Sequence, residues 1–397
     1  MANCHPRSHA SISRRQFLGR SRSLAAAGLS LSAMLAGCGD EYGGSSPGSG
    51  ASTATDGGGN SLFFENWALY IDPTEDGAIG TVDRFREATG VDMRYSEAMN
   101  DNNEYFAKIQ PILGAGDAIE PDMFVSTSWM TARLIRLGWV DKLPLDRVPN
   151  LVNLEDSFKN STWDPTGEYS LPWQSVMTGI AYNLDATGRE LGSVADLFDP
   201  EFRGKIGMNT EMRDTTGLLM LGLGIDPSTV STFDEAAPAF EQLEQAKNDG
   251  QIRAFHGGDY LDDLSSGNFA ACVGWSGDIL QLAKDNPNVR FVIPEEGGML
   301  GADTMVMPKG AKNRDSAAKW MDFVYDPVQA ARITASVQFI SPVKGMREEL
   351  AKIDEALTTN PLLFPDAATS ARLKSFANLS EEVEQEFDEA FSRITGA

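Results

Sequence analysis

Between residues 61 and 137 short apolar runs alternate with amphipathic ones: strands at 61–67, 91–95 and 122–126, each followed by a helix, near 81–89, 103–113 and 129–137. A β-α-β-α-β-α order leaves few folds open, because strands joined through helices run parallel and the helices then cover both faces of the sheet. A second set spans about 179–294 and includes a helix with Phe233, Ala236, Phe240 and Leu243 on one face and Gly250 just past its end. After Asp303 comes an apolar strand, then Ala317, Trp320, Met321 and Val324 at helical spacing, then Asp326-Pro327 as cap and first residue of another helix. Val383, Phe387, Phe391 and Ile394 fall on one face of a C-terminal helix. With 397 residues the chain is long for one core, so two α/β lobes are expected.

The N-terminal segment is targeting rather than structure. Ser13-Arg-Arg-Gln-Phe-Leu18 is a twin-arginine export signature, an apolar stretch follows at 24–35, and Leu35-Ala-Gly-Cys38 resembles a bacterial lipobox. Residues 1–37 are therefore expected to be a signal peptide and Cys38 a lipidated first residue. The stretch 38–60 is Gly, Ser, Thr and Ala with scattered acids, too poor in large apolar groups to fold, and reads as a flexible tether. No run of about 18 apolar residues follows Cys38, so the expected membrane contact is the lipid alone, at the outer face of the cytoplasmic membrane or in the periplasm.

Charge narrows the partners. The signal segment carries five of the 33 Lys and Arg and none of the 57 acids, so the body is even more acidic than the formal −24 of the whole chain. Nucleic acid is thereby disfavoured, and a cationic ligand is compatible, although surface acids also serve solubility. Catalytic motifs fail on spacing. Gly274-Trp-Ser-Gly-Asp278 has Asp where a nucleophile elbow needs its last Gly, and His256 precedes Ser276 instead of following it. One His and one non-lipid Cys, Cys272, do not make a zinc site, and Leu221-Gly-Leu-Gly224 lacks the third glycine of a dinucleotide fingerprint. Neither an enzyme nor a cofactor or metal is expected.

The most informative stretch is 268–308. Phe269 to Trp275 has the length and β-branched content of a buried strand, and Trp275-Ser-Gly-Asp278 sits where it gives way to a helix, the position at which open α/β sheets bind ligands. Asp303 follows a glycine-rich break. Two carboxylates and an indole are expected to converge at one strand-end crevice, although an acid in a first helical turn also serves as a cap.

The markers Glu65-Asn-Trp-Ala-Leu-Tyr70, Asp122-Met-Phe-Val-Ser-Thr-Ser-Trp129, Tyr169-Ser-Leu-Pro172, Leu197-Phe-Asp-Pro-Glu-Phe-Arg-Gly204, Gly274-Trp-Ser-Gly-Asp278, Glu296-Gly-Gly298 with Asp303, and Phe364-Pro-Asp366 run through 61–397. Over that length the chain resembles the polyamine (spermidine/putrescine) substrate-binding proteins of ABC transporters. The resemblance implies the two-lobed periplasmic-binding-protein clamshell, each lobe a mainly parallel sheet flanked by helices, with lobe 1 at 61–174 plus 303–343 and lobe 2 at 175–302 plus 344–397. It implies a ligand pocket of Trp67, Tyr70, Thr127, Trp129, Trp275 and Phe339, with Glu211, Asp214, Asp278 and Asp303 gripping ammonium groups, and delivery to an ABC permease and its ATPase. The physics agrees, since a polyamine is an apolar stem between ammoniums and wants aromatic walls and spaced carboxylates. Four positions depart from the family pattern: Ala68 and Leu69 offer nothing polar, Gly301 replaces an aromatic, and Phe339 replaces a common Tyr. A cationic amino acid or quaternary amine on the same fold is the alternative ligand class; a surface-anchored enzyme or adhesin is the alternative from outside it.

Overall fold

The computed structural model describes residues 60–396 apart from Asp76 and Asn160; the signal peptide, Cys38 and the tether up to residue 59 lie outside the described residues. Strands β1 (Ser61–Trp67), β2 (Asp92–Met99) and β3 (Met123–Thr127) are linked through helices α1 (Thr81–Thr89) and α2 (Asn102–Gly114), and α3 (Ser128–Arg136) leaves β3. β1 lies parallel between β2 and β3, as helical crossovers require. Local chemistry sets the helix ends: Asp101 caps α2 by accepting from the Glu104 N–H at 2.9 Å, and Gly90 ends α1 in the left-handed region at φ 68°.

The remaining elements are β4 (Val140–Asp141), β5 (Ser170–Asn183), β6 (Ile206–Asn209), α4 (Met212–Gly222), α5 (Phe233–Asn248), β7 (Ile252–His256), β8 (Ala271–Trp275), α6 (Ser276–Leu282), β9 (Val289–Val292), β10 (Gly298–Pro308), α7 (Arg314–Val324), α8 (Pro327–Val337), β11 (Leu373–Lys374) and α9 (Glu381–Thr395), with shorter helices between them. The sheet runs β2-β1-β3-β10-β5-β8-β6-β7, with β4 and β11 on β10 and β9 on β5. Both ends are parallel, β1–β3 at one and β6–β8 at the other. The centre is antiparallel, because β10 runs against both β3 and β5 and β5 runs against β8 and β9. Long strands returning through the middle thus join two parallel halves.

Each half has its own apolar core. Phe64, Phe85, Trp173 and Trp320 anchor the first, where the Trp173 and Trp320 rings stack at 6.2 Å; Leu219, Phe240, Phe387 and Phe391 anchor the second. Met346 and Leu350 join the first core, whereas α9 belongs to the second, so the chain after 343 contributes to both. The sheet curls. β2 and β7 stand at opposite ends of its order, yet the Gly258 N–H, just past β7, donates to the Asn100 backbone oxygen and to its side-chain Oδ1 at 3.2 and 3.1 Å. A Cβ on the neighbouring Gly257 would lie 2.7 Å from Asn100, so glycine is what permits this approach.

Candidate functional site

Most of the candidate residues sit where strands end. Trp67 closes β1 and Tyr70 lies in the turn after it; Thr127 closes β3; Trp275 closes β8, and Asp278 falls in the first turn of α6. Glu211 is the residue before α4 and Asp214 lies in that helix's first turn. Asp303 departs from the strand-end expectation, because it stands in the middle of β10, opposite Thr127 on β3 and Gln174 on β5. The reason is local. The glycine break is shorter than it reads: Gly297 turns at φ 125° and the backbone pairs with β5 from Met299 on, with a register shift between Asp303 and Thr304.

Hydrogen bonds tie these groups together. The Tyr70 hydroxyl donates to Asp303 Oδ2 at 2.7 Å, and its ring meets Phe339 edge-on at 4.8 Å. Among the described residues, the only non-glycine residues with positive φ are Leu69 (57°) and Gln338 (56°), which immediately precede those two aromatics. Such a conformation costs a bulky L-residue about 1–2 kcal/mol, so packing at Tyr70 and Phe339 holds it in place. The Trp275 indole N–H donates to Asp214 Oδ2 at 2.8 Å. Asn102, first residue of α2, donates through Nδ2 to Thr127 Oγ1 at 2.7 Å and to Glu211 Oε2 at 2.9 Å, and its Oδ1 accepts from the Thr127 N–H at 3.3 Å. Beside it the Thr210 hydroxyl donates to Asp101 at 2.7 Å.

The electrostatics are unusual for a protein interior. Burial pushes Asp278 up to about 7; the hydrogen bond from Tyr260 opposes this and the nearby Asp303 adds to it. Burial likewise pushes Asp303 up to about 6, against hydrogen bonds from Tyr70 and Thr127 and with Asp214 adding to the rise. Glu211 and Asp214 are both raised, by burial first and, for Glu211, by Asp214 next. Asp214 thus raises both Glu211 and Asp303, and Asp303 raises Asp278; Glu211 and Asp303 are buried, while Asp214 and Asp278 are half-buried. Arg213 is the cation felt by Glu211 and Asp214, but its guanidinium already bonds Glu384 at 2.6 Å and lies 3.9 Å over the Trp129 ring. Glu211 Oε1, Gln174 Oε1, Asn209 Nδ2, Ser276 Oγ and Arg213 Nη1 are among the buried polar atoms without a hydrogen-bond partner.

Not every expected residue joins this cluster. Trp129 is packed between the guanidiniums of Arg213 and Arg133, the latter 5.1 Å from its ring centre. Trp67 packs against the first core with its indole nitrogen buried and unpartnered. A Cβ on Gly301 would meet nothing within 4 Å, and Trp173, stacked on Trp320, does not fill that space. Three participants escaped the sequence reading: Asn102, Arg213 and Tyr260. Asn102 lies at a strand-to-helix turn, the same signal that marks Asp278, and could have been found that way. Tyr260 carries no such signal. Among the described residues, no group of three or more His, Cys, Asp or Glu is arranged to hold a metal ion, and no helix is long and apolar enough to cross a membrane.

A curled α/β sheet whose opposite edges meet beside a buried polar cluster is the architecture of a protein that encloses a ligand. The model of bacterial extracellular solute-binding proteins matches residues 80–365, and this chain belongs to that family, whose members are binding proteins and not enzymes. The spermidine/putrescine-binding periplasmic protein of Escherichia coli K12 is 25% identical over 78% of this chain and 84% of its own length. The putrescine/cadaverine-binding protein of Pseudomonas aeruginosa is 28% identical over 84% of this chain and 93% of its own. Among solved structures, the TpPotD lipoprotein of Treponema pallidum superposes with a TM-score of 0.70 over 85% of this chain and 100% of its own, at 20% identity, and shares the two-lobed fold.

Proposed function

We propose that this protein captures a polyamine of the spermidine/putrescine kind between its two lobes, at about 61–174 plus 303–343 and 175–302 plus 344–397 with the Met346–Leu350 helix packed on the first, and hands it to an ABC importer. The observation that carries the reading is the set of four raised carboxylates, Glu211, Asp214, Asp278 and Asp303, with one neighbouring guanidinium, Arg213, whose Nη2 bonds Glu384. Burying unmatched carboxylates is costly, and a flexible polycation supplies the missing charge without adding any to the fold. Tyr70, Trp275 and Phe339 give the methylene stem an aromatic wall, while Trp67 and Thr127 stand at adjoining strand ends. The names of the relatives support the ligand class. The open space at Gly301 favours an amine longer or bulkier than putrescine.

A thermal-shift panel of polyamines, cationic amino acids, quaternary amines, sugars and anions tests it. A ligand at about 100 times its Kd adds roughly 2.7 kcal/mol to stability, so spermidine should raise the melting temperature while sugars and anions leave it unmoved. A shift with quaternary amines and none with polyamines would overturn the ligand assignment. Cys38 holds the protein to the outer face of the cytoplasmic membrane, a reading supported by the lipobox and the tether. Cys38→Ala should therefore accumulate as unprocessed precursor.

A further inference from the structure

Tyr260 lies outside the set of groups expected to touch a ligand, yet it holds two of them. It sits after β7, just before the short helix Leu261–Ser265, and is fully buried. Its hydroxyl accepts from the Trp275 backbone N–H at 3.1 Å and donates to Asp278 Oδ2 at 3.1 Å, so one oxygen spans the end of β8 and the first turn of α6. The ring is fixed in turn, stacked on His256 at 4.7 Å and edge-on to Trp275 at 6.0 Å. Gly274 completes the fit, since a Cβ there would fall 3.2 Å from the Tyr260 hydroxyl oxygen.

We infer that Tyr260 is a positioning residue for the binding site: its hydroxyl aims the Asp278 carboxylate and keeps the Trp275 indole in register with it. The inference rests on the polyamine reading only for the ligand, because the hydrogen bonds exist without one. A phenol that donates to a carboxylate stabilises the charged form, which burial otherwise disfavours. The other charged or titratable groups facing Asp278 are Asp303 from β10, which raises it, and the Tyr70 phenol from the turn after β1 and the Cys272 thiol from β8, both of which Asp278 itself pushes up; the Phe339 ring covers the adjacent Gly277. Tyr260 is thus the donor that opposes Asp303.

Two measurements test this on the full protein. Carbon-13 NMR titration without ligand, with the Asp278 carboxyl identified by its loss in Asp278→Asn, should show the Asp278 midpoint moving upward in Tyr260→Phe. Fluorotyrosine at position 260, a stronger donor of the same shape, should move it downward, and this arm remains decisive even where Tyr260→Phe folds poorly. Calorimetry with spermidine at pH 7 should show affinity about tenfold weaker in Tyr260→Phe, with the pH of half-maximal binding displaced upward; adding Tyr260→Phe to Asp278→Asn should give no further displacement. An unmoved Asp278 midpoint in both variants overturns the positioning role. A midpoint that moves in a protein blind to spermidine supports the role and overturns the polyamine reading instead.

Discussion

Helix α4 separates two clusters of buried acids that are balanced in opposite ways. On one side Glu384, from α9, accepts from Arg213 at 2.6 Å, Arg136 at 2.5 Å and Arg133 at 3.3 Å, and Arg133 also bonds Asp388. Burial would raise the Glu384 carboxyl, but the guanidiniums of Arg213 and Arg133 hold it below the usual carboxylate range. On the other side Glu211, Asp214, Asp278 and Asp303 are all raised by burial, with Asp214 adding to the rise of Glu211 and Asp303, and Asp303 to that of Asp278. The same residue types are structural where the chain provides the counter-charge. Where it does not, they are left to take a charge from outside the chain, as the proposed function requires.

The contrast is broken most strongly at the matched cluster. Glu384→Gln leaves Arg213 buried beside a neutral amide, while Arg133 keeps Asp388; losing one partner of a buried pair costs about 3–5 kcal/mol, so urea denaturation should show a loss of that order. Unchanged stability would mean the guanidiniums find water. At the unmatched cluster the sign reverses: Asp278→Asn or Asp303→Asn should leave the unliganded protein as stable or more so, while spermidine affinity in calorimetry falls by about 2–5 kcal/mol.

The pH dependence sharpens the same opposition. Asp278 and Asp303 titrate at about 7 and 6 in the folded protein, above the ordinary 3.8, so the folded state holds protons that the unfolded chain has released. Their favourable contribution is complete below the unfolded midpoint of about 4, declines as pH rises above it, and is gone once pH has passed through the folded values of about 6 and 7. Glu384 is depressed, so its contribution is present above the unfolded value and is lost as pH falls through the folded one. Melting temperatures of the unliganded protein should therefore fall between about pH 4 and pH 7, and saturating spermidine should flatten that limb. Gly301→Trp has the smallest effect. It fills open space on the strand that bears Asp303, and its indole should change putrescine affinity by about 0.5–2 kcal/mol with little effect on folding.

How much of this was legible differs by region. Strands β1 and β3 and helices α1 to α3 could be read almost residue by residue, because hydrophobic period and capping are local. Asp278 and Trp275 could be placed for the same reason, at a strand-to-helix turn. The antiparallel centre could not, since nothing local tells β10 to run back between β3 and β5. Nor could Arg213: its neighbours in sequence, Glu211 and Asp214, suggest that it offsets the binding acids, and only the arrival of α9 shows it engaged by Glu384. Tyr260 was hidden likewise, because both its polar contacts are made across the fold.

The left-handed residues Leu69 and Gln338 carry a consequence for any attempt to improve this protein. Each is a spot of local frustration that a glycine would relieve, so a search for sturdier variants should be drawn to Leu69→Gly and Gln338→Gly. The same exchange would slacken the main chain just before Tyr70 and Phe339, whose rings brace each other and whose hydroxyl reaches Asp303. Sturdiness and grip are traded at those two peptide units, and a chain selected only for heat resistance would lose its hold on the ligand there first.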